Sequence, residues 1–186
     1  MMKIKNHLYL FIAGFILFSS CEQHLDHAKG LKYYTAVIAA MDSTTSQVNS
    51  CIHMVLHGAE IATQRPDRKL DSSNVIALKK SYEKASLTLN YGIRKLSDME
   101  EIDNEIDLKG KILAHFKNTK TLMDSALPET IQILGNGIDN LTTQQKESIH
   151  QFKTRSIELQ KESAELDNLF IDFKTKYQIT DEELKK

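Results

Sequence analysis

The sequence predicts an all-α protein, an up-down-up-down antiparallel four-helix bundle with long coiled-coil-like helices. Three observations lead there. Apolar residues recur at alternating threes and fours over several long stretches, the signature of a helix that buries one seam. Trp is absent, and Pro66, Pro128 and seven glycines are the only strong breakers in 186 residues, which disfavours a turn-rich β protein. The gaps between the periodic stretches carry residues that start and stop helices.

Taken in order, the chain opens on a leader rather than a bundle helix. Met1 to His7 hold Lys3 and Lys5 and no acid, Leu8 to Phe18 are apolar apart from one glycine, and the small pair Ser19-Ser20 follows. That is the charge, core and small-residue order of a secretory signal. The apolar run would cover roughly 16 Å as a helix, about half of what a membrane span needs. Phe18 sits where an ordinary signal-peptidase site wants a small residue.

The segment Leu17-Phe18-Ser19-Ser20-Cys21 instead resembles the lipobox of bacterial lipoproteins, with Phe18 where leucine is usual. The resemblance implies a diacylglyceryl group on the Cys21 sulfur, cleavage before Cys21 and acylation of the new amino terminus. The competing readings are a soluble secreted protein with Cys21 left near its mature end, and an uncleaved anchor. Each buried methylene contributes about 0.8 kcal/mol, so two or three acyl chains hold a protein on a bilayer where one does not. Glu22 follows the cysteine, in place of the aspartate that retains lipoproteins at the inner membrane, which leans toward the outer membrane or the cell surface.

The domain organisation follows: 1–20 leader, 21–29 polar tether, 30–178 helical bundle and 179–186 tail. Loss of Lys3 and Lys5 with the leader takes the formal net charge from −1 to −3, and nothing in it suggests nucleic acid. A chain of this length buries enough surface for one core without metals or disulfides. With Cys21 acylated, Cys51 has no partner within the chain, and it reads as a small half-buried helix residue rather than a reactive thiol.

The first bundle helix reads along Leu31, Tyr34, Ile38, Met41, Thr45, Val48, Ile52, Val55, Ala59 and Ala62. Arg65-Pro66-Asp67 breaks it, and Asp71-Ser72-Ser73 caps the second, whose seam is Val75, Leu78, Tyr82, Ala85, Leu89, Gly92, Leu96 and Met99, with Gly92 as a defect. The third has a wider apolar face from Ile106 to Leu134 and is expected to kink near Ser125 because of Pro128. Gly135-Asn136-Gly137 stops it. Thr142 and Gln145 form a capping box that opens the last helix, with seam Ile149, Phe152, Ser156, Leu159, Ser163, Leu166, Phe170, Phe173 and Tyr177.

Candidate chemistry is thin. His53, His57 and Glu60 share one helix face and could hold a metal or serve a haem carrier, although the register turns them to solvent. Glu147 and His150 make a single Glu-x-x-His, where di-iron bundles use two. The acidic run Asp98 to Asp107 reads as a solvated connection whose carboxylates favour the start of the third helix. No nucleophile elbow, phosphate loop or zinc-protease motif is present. The lipobox, the long first helix, Lys80-Ser81-Tyr82-Glu83 and the last helix from Leu141-Thr142 to Lys176-Tyr177-Gln178-Ile179 together resemble small all-helical surface lipoproteins of bacteria. The resemblance implies fold and location but no catalytic residue. The expectation is a non-enzymatic envelope protein without a cofactor, held to the membrane through Cys21 and binding a protein partner there. The alternative is a metal or haem carrier using His53 and His57.

Overall fold

The computed structural model describes the backbone of residues 4–185 and the side chains of residues 27–185. Four helices follow one another: α1 Ile4–Gln64, α2 Ser72–Ser97, α3 Leu108–Asn136 and α4 Thr143–Lys176, with a final 3₁₀ turn at Glu183–Lys185. Each packs on the next, and α1 also packs across the bundle on α3. The protein is all-α, an up-down arrangement of four long helices, as the spacing predicts.

The caps lie where the sequence places them. Asp71 is the N-cap of α2 and accepts from the Asn74 N–H at 2.9 Å. Thr142 and Gln145 form the reciprocal capping box of α4, at 3.0 and 3.2 Å. Gly137 ends α3 with φ +108°, a conformation that an L side chain rarely adopts. The loop between α1 and α2 is tied to the end of α3 by Leu70 N–H to Leu134 O at 2.7 Å and to the loop after it by Ile138 N–H to Arg68 O at 3.1 Å.

Pro128 leaves α3 a single helix. It sits on the exposed side, as does Asp124, whose carbonyl it cannot engage, so water can satisfy that group. The helix N-terminal to the bundle is longer than the sequence suggests, because α1 runs from Ile4 and carries the polar stretch 21–29 as helix.

Burial follows the predicted seam of α2, with Leu78, Ala85, Leu89, Gly92 and Leu96 inside and Val75, Tyr82 and Met99 half-buried, Met99 just past the helix end. Gly92 is no defect. A Cβ there would come within 2.3 Å of Thr44 Oγ1 and 3.1 Å of Phe116, so the glycine lets α1 and α3 approach α2. In α1 the most buried stripe is displaced from the expected seam. Tyr34, Val48, Val55 and Ala62 are shared, but Val37, Ala40, Thr44 and Cys51 are also buried, while Ile38, Met41, Thr45, Ile52 and Ala59 flank them half-buried. Thr44, in the middle of this stripe, is the α1 residue that faces Gly92.

Candidate functional site

Cys21 lies outside the residues whose side chains are described, and among the described residues no helix is long and apolar enough to cross a membrane. His53, His57 and Glu60 project outward, as their register requires. His57 Nδ1 is 3.5 Å from Glu60 Oε2, and both side chains are more than 70% exposed at 72% and 74%. Among the described residues no group of three His, Cys, Asp or Glu side chains is placed to hold a metal ion. Glu147 accepts from the Gln151 amide at 3.2 Å, while His150 lines a groove between α3 and α4. Cys51 is fully buried rather than half-buried, and that burial pushes its thiol up against a lowering hydrogen bond from Ser81.

The acidic run corrects its sequence reading. Asp98 caps the end of α2, the acids precede α3 instead of occupying its first turn, and two of them organise the connection from within. Glu101 accepts the Tyr33 hydroxyl at 2.9 Å and the backbone N–H groups of Ile102, Asp103 and Lys109 at 2.9–3.2 Å. Asp103 is only 5% exposed and accepts from the N–H groups of Glu105 and Ile106. Its other oxygen lies 2.7 Å from Lys176 Nζ, within ion-pair distance though outside hydrogen-bond geometry. Burial acts to raise the Asp103 carboxyl, but Lys176 and the two N–H groups outweigh it and hold it below the usual range. Burial and Glu101 push the Tyr33 hydroxyl well up.

This end of the bundle is also aromatic. Phe173 lies 5.4 Å from Tyr33, 6.0 Å from Tyr34 and 4.5 Å from Tyr177 by ring centroid, and Tyr34 meets Phe170 edge-on at 5.7 Å. Such pairs contribute about 0.5–1.5 kcal/mol each beyond their buried area. The Tyr177 ring lies on Gly30, where a Cβ would come within 2.3 Å of it.

The middle of α4 is different. Between Phe152 and Leu166 it buries no residue fully, and Ser156 and Ser163 occupy two of its seam positions. Grooves open on both sides, with Leu159 bordering each. One, of about 560 Å³, runs between α3 and α4 past Thr121, Ser125, Gln151 and Arg155. The other, of about 390 Å³, separates α4 from α1 over a floor of Val48, Ile52, Leu89 and Phe116, with His53 at its edge. His115 Nδ1 at 3.1 Å and the Asn118 amide at 3.0 Å hold Glu162 and tie α3 to α4 beside them. The two grooves offer hydroxyl and amide groups and, on the α1 side, an apolar floor.

Ser156 and Ser163, two seam positions of α4, are half-buried and line the groove toward α1. The tie of His115 to Glu162 and the ion pair of Lys176 with Asp103 carry no local signal, because their partners lie on other elements. No protein-family model, no curated protein and no solved structure matches this chain.

Proposed function

We propose that this protein is a lipoprotein of a bacterial envelope, acylated at Cys21, that works as a non-enzymatic binding or scaffolding bundle at the outer membrane or cell surface. The observation that carries the reading is the order of Lys3 and Lys5, the apolar Leu8 to Phe18 and Ser19-Ser20-Cys21. On this reading the anchor would also give the bundle a direction. Residues 21–29 lead into the bundle as part of α1, so an anchor at Cys21 would join the membrane to the folded body through helix rather than through a loose linker. The aromatic end would then face the bilayer, and the Arg68–Asp139 end, tied at 3.1 Å, would face away from it toward an envelope partner. The metal- or haem-carrier reading has less support, resting on one 3.5 Å contact between exposed side chains.

Expression of Cys21→Ser beside the wild type, in cells fed a traceable fatty acid, tests the proposal. Labelled wild-type protein in the membrane fraction, with an unlabelled and unprocessed variant, is the expected result. Equal processing of both forms, with no label on either, would contradict it.

A further inference from the structure

His27 stands where α1 meets the end of α4 and the chain beyond it, and its two ring nitrogens face two acceptors. Nδ1 is 2.6 Å from the Tyr177 carbonyl oxygen, and Nε2 is 2.9 Å from Glu183 Oε1. A carbonyl cannot donate, nor can an ionised carboxylate. Glu183 is ionised, pulled down to about 2 by the Thr180 N–H, the Thr180 hydroxyl and His27. Both contacts are hydrogen bonds only when both nitrogens carry protons, so the geometry calls for the imidazolium. Tyr177 is the C-cap of α4, and its carbonyl belongs to the negative end of that helix, which adds to the preference for a cation.

The segment so held is an ordered hook rather than a free tail. Gln178 takes a left-handed conformation at φ +56° and turns the chain back. Ile179 donates its N–H to Lys174 O at 2.9 Å and is buried. Thr180 donates both its N–H and its hydroxyl to Glu183 Oε2, at 2.9 and 2.8 Å, which presents the other carboxylate oxygen to His27. Among the described residues, the charges at this end of α4 and in the hook that form ion pairs do so with one another, with His27 or with the α2–α3 connection. Lys174 is paired with Asp181, which also feels Lys185, and Lys176 with Asp103 and Glu105. Among the described residues, Glu183 is the charged side chain that acts on the His27 ring.

We propose that His27 is a pH-dependent latch, which holds the hook Tyr177–Lys185 against α1 while doubly protonated and gives up one of its two partners when neutral. The Tyr177 carbonyl first, and Glu183 second, raise the His27 pKa above its ordinary 6.5. The stability that the imidazolium confers is therefore complete below about 6.5 and is lost as pH rises through the raised value. Glu183 sets the other edge, since what its carboxylate confers is present above 4.5 and lost as pH falls through about 2. The latch grips best between the two, in mildly acidic medium. It does not depend on acylation at Cys21.

The test is an NMR titration of the His27 ring in the full chain in detergent, from about pH 5 to 9, with amide exchange of Ile179 followed in parallel and corrected for intrinsic rate. The expected result is a His27 pKa above 6.5, an Ile179 amide whose protection falls roughly tenfold across that titration, and a lower His27 pKa in Glu183→Gln. The Thr180 contacts leave Glu183→Gln able to keep the hook, and the wild-type titration needs no variant at all. A His27 pKa at or below 6.5, or Ile179 protection that stays constant while His27 titrates, would overturn the latch.

Discussion

The C-terminal third of α4 and its middle follow one heptad and reach opposite outcomes. Toward its end Leu166 is buried, Phe170 and Phe173 pack on Tyr33 and Tyr34, and Lys176 reaches across to Asp103. In the middle Ser156, Leu159 and Ser163 occupy the same face, none is fully buried, and grooves open on either side. The difference is side-chain reach. Spacing decides which face of a helix turns inward, and residue size decides whether that face closes on its neighbours.

The sharpest way to break the contrast is to empty its well-packed side. Phe173→Ala removes a fully buried ring that meets three tyrosines, and it should cost about 3–5 kcal/mol in denaturant unfolding. A cost below about 1 kcal/mol would mean that this end does not hold α4 in place. Gly92→Ala tests the neighbouring claim that α1, α2 and α3 are at closest approach. Its new methyl meets Thr44 and Phe116, and the expected loss is about 1–3 kcal/mol. A neutral or stabilising result would show that the three helices have room to part. Ser163→Leu works on the open side, placing an apolar side chain against the Val48 and Ile52 wall, and should raise stability by about 1 kcal/mol. Destabilisation would show that the groove floor is not available to α4.

The same distinction explains what could be read from the sequence. The seam of α2 was legible residue by residue, because Leu78, Ala85, Leu89 and Leu96 alternate with charged residues and have one face to bury. Asp71, Thr142 and Gly137 were legible because capping is a local matter of backbone donors and conformation. The deepest stripe of α1 was not. Thr44 is more deeply buried than the larger Met41 where Gly92 lies opposite it, on a different helix. Asp103 read as a solvated acid for a similar reason, since Lys176 is 73 positions away and no local pattern announces it. His27 and Glu183 are farther apart still, and neither stood out in the sequence. The candidate anchor is the opposite case, being legible only as sequence, with its side chain outside the described residues.

That anchor is the claim on which the functional account rests, and intact-mass analysis of the protein purified from its own membranes tests it most directly. The account predicts a chain that begins at Cys21 and carries the added mass of a diacylglyceryl group. A chain that still carries Met1 to Ser20, or one whose Cys21 has an unmodified thiol, would contradict it.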